Sequence, residues 1–288
     1  MNYSALIQNR KSVREFADKP VSAAALAEIE TYYQKSCQRL VPELETKLCV
    51  FGQEAREALE GAAGYESFLI GAPNYLVLLS TKGELAGENA GYMMEDLVLK
   101  LTDMDLGCCW ITFTDSEKVK AALKIDSPLD VAAIVAFGQG VKTTKRLRVN
   151  ILSMSNVDIS AKRQYFAPKH GLHDMVFMDT WGNTQGVDEY IGFYDDMLWE
   201  ALYAATQSPS YLNRQPYGFV IHDGQITLVK APDNYTDEID AKLGLGIVLL
   251  HFSSTASQWA GKIQWGFGAD AAKLQLPEGY EAVASCKL

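Results

Sequence analysis

Two polar clusters in this chain have the residue types and spacing to grip a small charged ligand. Arg10-Lys11-Ser12-Val13-Arg14-Glu15-Phe16 sets three cations and a hydroxyl within five residues. Guanidinium groups bind phosphate oxygens through paired N–H donors and a serine adds another, so the segment suits a doubly charged phosphate. A solvated charged face near a helix end is the plainer use of the same residues. The second cluster, Ser208-Pro209-Ser210-Tyr211-Leu212-Asn213-Arg214-Gln215-Pro216, is dense in amides and hydroxyls. Asn213 and Gln215 each carry donor and acceptor functions, which fits a heterocycle edge presenting both. An ordinary polar turn between helix and strand is the alternative.

Other candidates are weaker. Leu243-Gly244-Leu245-Gly246 starts like a dinucleotide fingerprint but lacks the third glycine and a strand leading into it, so helix packing is expected. His170 and His173 have a spacing metals can use, but no carboxylate or cysteine set accompanies them, and a surface loop is expected. The pairs Glu95-Asp96 and Asp195-Asp196 read as helix-face charges. The five cysteines show no CxxC pair, and adjacent Cys108 and Cys109 read as buried thiols. No Ser-His-Asp or Cys-His set stands out, so neither a catalytic side chain nor a metal site is expected.

The elements that must hold the two clusters read as two unequal copies of one plan. In the first, Val21–Ser36 has helical spacing with Ser22 as cap. Tyr75–Leu79 is a β-type run, Gly87–Met104 a long helix, Gly107–Ile111 a strand, Ser116–Leu123 a short helix and Val131–Phe137 a buried strand. In the second, Asp188–Thr206 reads as one helix, Phe219–His222 and Gln225–Val229 as a hairpin around Asp223-Gly224, and Ile239–Ser257 as a long apolar helix. Gly91 to Trp110 and Gly246 to Trp265 are equally long, each running from helix to tryptophan-bearing strand. The division falls at residues 1–150 and 151–288, with the junction near Lys142–Ser160. Phe166 to Gly186 has no counterpart and is expected to be an insertion or a lid.

Composition bounds the function classes. With 288 residues and 48% hydrophobic content the chain can bury a large core. Its formal charge of −10 opposes nucleic-acid binding, and the basic run Lys142–Arg148 is too short for a nucleic-acid groove, though it could hold one phosphate. The apolar runs are too short to span a bilayer, and the opening MNYSALIQNRKSVREF has no continuous apolar core, so a cytoplasmic protein is expected.

Together the two clusters resemble the signatures of the nitroreductase family. RxSxRxF near the amino terminus is similar to that family's opening, and PSxxNxQP to its loop after the second helix. Gly107–Ile111, the glycine-ended strand Val131–Phe137 and then Lys145-Arg146 follow the family's order. The resemblance implies an α+β fold that normally works as an intertwined homodimer with FMN at the interface. It implies that Arg10, Lys11, Ser12, Arg14, Lys145 and Arg146 hold the phosphate and ribityl end. The loop bearing Ser208, Pro209, Ser210, Asn213 and Gln215 would approach the isoalloxazine ring from the other subunit.

This chain departs from the family in where those signatures stand. The first half keeps the phosphate motif but reads Lys35-Ser36-Cys37-Gln38-Arg39-Leu40 where the amide loop should be. The second keeps the amide loop but opens with Ala161-Lys162-Arg163-Gln164-Tyr165-Phe166. Each half has lost what the other kept, which suggests a fused pseudo-dimer: two pseudo-symmetric α/β halves with one flavin site, able to act as a monomer. Thr112-Phe113 stands where the family often has a glycine beside the flavin's reactive nitrogen. The implied activity passes hydride from NAD(P)H to FMN and on to a nitroaromatic, quinone or similar small acceptor. Alternatives are a non-catalytic flavin-binding or regulatory protein, a flavin-fragmenting or dehalogenating branch, or a pseudo-dimer that has lost flavin.

Overall fold

The computed structural model of the chain describes every residue except 67, 142–145, 154–155, 163–167, 195 and 269–270; the side chains of 146–162 also lie outside the description. The first half forms a four-stranded antiparallel sheet in the order β1-β2-β4-β3, from Thr46–Phe51, Asn74–Ser80, Asp130–Gly138 and Gly107–Ile111. Helix α4 (Ala86–Asp103) links β2 to β3, and α5 (Ser116–Leu123) links β3 to β4. Apolar side chains cover both faces of this sheet. Leu76, Leu78, Val135 and Phe137 pack towards α4, and Tyr75, Val77, Leu79 and Ile134 pack on the other side. Two-sided burial is why β2 and β4 are continuous apolar runs without polar alternation.

The second half repeats the plan. Strands β8 (Tyr217–His222), β9 (Gln225–Lys230), β11 (Glu281–Lys287) and β10 (Gly266–Phe267) are ordered β8-β9-β11-β10, with α8 (Glu238–Ala260) linking β9 to β10 as α4 links β2 to β3. Asp223 and Gly224 take φ of 50° and 71°, the paired left-handed conformations of a tight hairpin turn. Strands β5 (Arg146–Ser153) and β6 (Asn156–Lys162) form a ribbon between the halves in sequence.

Helices α4 and α8 meet at the centre with their backbones in contact. A Cβ on Gly91 would lie 2.1 Å from the Leu243 carbonyl oxygen, and one on Gly246 would lie 1.9 Å from that of Glu88. Glu88 precedes Gly91 by three residues and Leu243 precedes Gly246 by three. Each glycine therefore receives the backbone just ahead of the other, the reciprocity a two-fold interface imposes. Here the axis relates two halves of one chain.

The structure corrects three expectations. The span Asp188–Thr206 is not one helix but α6 (Val187–Gly192) and α7 (Met197–Thr206), because Gly192 ends the first and Asp196 takes a left-handed φ of 63°. Phe166 to Gly186, expected as an insertion or a lid, adds in its described residues an extra strand to the second sheet. Val176–Met178 is strand β7, parallel to β8, and Trp181 packs between Phe177 and Tyr280. Glu95 and Asp96 are not helix-face charges: both are fully buried, because α4 has the sheet on one side and α8 on the other. No helix among the described residues is long and apolar enough to cross a membrane.

Candidate functional site

Helix α1 (Tyr3–Asn9), capped by the Asn2 side chain, stops at Arg10, where the backbone becomes extended. The following residues lie along the free edge of β3: Ser12 bridges to Cys108, and Val13 N–H donates to the Cys108 carbonyl at 2.8 Å. Extended backbone alternates its side chains. Val13 fills the space against Gly107 and Gly140, while Ser12 and Arg14 line a cavity on the other side. Lys11 is exposed and does not line the cavity.

The cavity, of about 350 Å³, is shared by the two halves. Ser12, Arg14 and the end of β3 at Cys109–Thr112 come from the first half; Pro209–Leu212 and one side of α8 come from the second. Much of its wall is apolar, with Ile70, Trp110, Leu243 and Ile247 inside and Tyr65, Phe68, Tyr211 and Leu212 towards the rim. The Tyr65 and Tyr211 rings, one from each half, stand 6.1 Å apart. Asp240 also faces the cavity, accepting from the Thr112 hydroxyl, and burial pushes its carboxyl up to about 6. Burial likewise raises the Cys109 thiol and pushes Cys108 up to about 12, so both are held as thiols at neutral pH.

Beside the cavity lies a buried charged chain that the sequence reading missed. The Arg10 side chain is 8% exposed; its Nε is 3.5 Å from Glu95 Oε1, and neither Nε nor Nη1 has a hydrogen-bond partner. Glu95 is already engaged: Trp110 Nε1 donates to it at 2.9 Å, and His251 Nε2 lies 3.1 Å away. His251 Nδ1 is 3.1 Å from both Ser208 Oγ and the Ala204 carbonyl. Lys169 Nζ donates to the Ser208 carbonyl at 2.7 Å, and its pKa is lowered to about 8 by burial and by Arg10, against the opposing pull of Glu95. The legible sign was a carboxylate pair inside an otherwise apolar helical stretch, Met93 to Leu99, and a lone histidine in another.

The amide loop follows α7. Asn213 Nδ2 donates to the Pro168 carbonyl at 2.7 Å. Gln215 Nε2 donates to the Thr206 carbonyl at 2.7 Å, Gln215 Oε1 accepts from His170 N–H at 3.1 Å, and Gln215 N–H donates to Ser210 Oγ at 3.0 Å. Leu212, Asn213 and Gln215 all take left-handed backbone angles, and these side-chain bonds hold them there. Pro209 and Ser210 reach the cavity, whereas Ser208 is buried behind it against His251. Lys145 lies outside the described residues; Arg146 opens β5, its side chain undescribed. Among the described residues no His, Cys, Asp and Glu group could hold a metal.

A phosphorylated heterocycle fits this arrangement. The Arg10 Nε and Nη1 atoms, buried without hydrogen-bond partners beside a single carboxylate, favour an added anion, because unpartnered buried donors are costly. The adjoining cavity is apolar enough to take a ring system.

Residues 2–170 match the family model described as "Putative TM nitroreductase". Among solved structures, 99% of the chain is similar to 93% of a "putative nitroreductase" from Thermotoga maritima, at 19% identity and a TM-score of 0.57. A nitroreductase family protein from Clostridium novyi NT is matched over 49% of this chain and 86% of its own, at 23% identity and a TM-score of 0.42. A "putative nitroreductase in complex with FMN" from Desulfovibrio desulfuricans is matched over 49% and 87%, at 19% identity and a TM-score of 0.43. No curated protein matches the chain. The first likeness extends the shared fold across both halves of the chain.

Proposed function

The chain belongs to the TM nitroreductase family, and from that premise we propose that it is an FMN-dependent oxidoreductase whose single flavin site is assembled between residues 1–150 and 151–288. One observation carries the reading: Ser12 and Arg14 of one half and Pro209 and Ser210 of the other open onto the same cavity, beside a buried Arg10 with unpartnered nitrogens. Arg10, Ser12 and Arg14 would hold the phosphate and ribityl end. Pro209 and Ser210 would meet the ring, with Asn213 and Gln215 fixing the loop that carries them. When bound, the flavin supplies hydride transfer, taking it from NADH or NADPH and passing it to a nitroaromatic, quinone or similar small acceptor. The chain's own part is to position that ring, keep water from it and leave one face open to the rim at Tyr65 and Tyr211. Because the fused halves contain both sides of the site, the working unit is a monomer.

The test is direct. Purified protein should be yellow and release FMN on heating, and NADH or NADPH should bleach it without oxygen. Apoprotein should saturate at one FMN per chain. FAD as the released species, or two equivalents bound, would overturn the reading.

A further inference from the structure

We propose that Lys169 is a further cation of the phosphate clamp, acting beside Arg10 and contributed by the half that lacks it. The inference rests on the proposed FMN site and deepens it, since the sequence signatures give this lysine no role.

Arg10 and Lys169 are two cations close enough to repel each other in a poorly hydrated place. Glu95 lies 3.5 Å from Arg10 Nε and attracts Lys169 only through its field, yet it also receives Trp110 and His251, and Arg10 Nε and Nη1 have no hydrogen-bond partner. One shared carboxylate leaves the pair of cations under-compensated. A phosphate monoester carries close to two negative charges at neutral pH and three acceptor oxygens, which matches that deficit. The donors are available: Arg10 has Nε and Nη1 unpartnered. An ammonium has three N–H groups, of which the Ser208 carbonyl takes one from Lys169. Ser208 in turn leads directly into Pro209 and Ser210 on the cavity wall. Lys169 would thus tie the phosphate end to the loop that meets the ring.

The charge state gives the inference a pH signature. Among the described residues the charged groups that act on Lys169 are Arg10 and Glu95, with His251 behind Glu95, and burial with Arg10 lowers its amine to about 8. Phosphate affinity should therefore weaken as pH rises above about 8, when the free protein loses the Lys169 proton.

The experiment compares FMN with riboflavin, which lacks the phosphate, on full-length apoprotein by flavin fluorescence. Lys169→Gln removes the charge while keeping a donor for the Ser208 carbonyl. It should weaken FMN about 10- to 100-fold, leave riboflavin nearly unchanged and abolish the fall above about pH 8; Lys169→Arg should restore much of the difference. Equal losses for both flavins would mean that Lys169 only braces the loop, and no loss for either would also overturn the inference. Inorganic phosphate, followed by its NMR line width, separates this result from the flavin reading. If wild-type protein binds neither flavin but binds phosphate through Lys169, the clamp stands and the flavin function falls. If phosphate is ignored as well, both fall.

Discussion

Helices α4 and α8 each bury one ionisable residue five positions beyond the glycine at their crossing, Asp96 in the first and His251 in the second, and the two surroundings have gone opposite ways. Asp96 is fully served by the protein. Tyr3 and Tyr32 hydroxyls donate to it at 2.9 and 3.0 Å, and Gln38 N–H at 2.9 Å. These donors include Gln38, in the segment Lys35–Leu40. His251 stands instead in a chain of charges that ends on unpartnered guanidinium nitrogens. A buried polar group with all its partners needs nothing more, whereas a buried charged group still lacking acceptors beside a cavity is a candidate for a ligand.

Substitutions can break or sharpen this contrast. The largest effect is expected at Glu95→Gln, which leaves Arg10 and Lys169 without a counter-charge; loss of one partner from a buried ionic group costs about 3–5 kcal/mol. Urea unfolding should report that loss, and added phosphate should recover part of it because the anion replaces the missing charge. Next, Arg10→Ala should weaken FMN by about 1.5–3 kcal/mol, or roughly 10- to 100-fold, measured by fluorescence titration. An unchanged affinity would place the anion elsewhere. Gly246→Ala should destabilise by about 1–3 kcal/mol, because its new methyl meets the Glu88 backbone, and Gly91→Ala should match it if the axis is real.

The smallest effect is expected at Asp96. Burial raises the Asp96 carboxyl above its ordinary value of 3.8, so its folding contribution is fullest below that pH and is lost as pH climbs through the folded value. Asp96→Asn should flatten this dependence and cost no more than about 1 kcal/mol near neutrality, since Tyr3 can turn to accept from the amide. FMN stoichiometry should not change. A loss as large as that of Glu95→Gln would end the distinction between the two places.

Much of the scaffold was legible because the informative signals were local. Ser22 caps α2 (Ala23–Lys35) by accepting from Ala25 N–H, and Asp223-Gly224 turns its hairpin, each through chemistry confined to a few residues. Strand β1, Thr46–Phe51, carries no comparable signal, because it is a partly exposed edge with no fully buried position. β11, Glu281–Lys287, is built from small residues that carry weak strand preference. The two ends of the cavity were visible as motifs, but Glu95, His251 and Lys169 were not. Their meaning arises only where α4, α8 and the 168–170 segment converge, and residues 95 and 251 are 156 apart in sequence.

The backbone contacts of Gly91 with Leu243 and of Gly246 with Glu88 also bear on how anything reaches the cavity. Two helices touching without intervening side chains have no slack between them, so the halves cannot hinge or slide about that axle without first coming apart. Admission of a ligand then falls to the doorway. Tyr65, Phe68 and Leu212 are 45%, 73% and 57% exposed there, and Gly64 and Leu212 hold left-handed backbone angles. The chain thus pairs a tightly packed axle with an exposed aromatic and aliphatic rim.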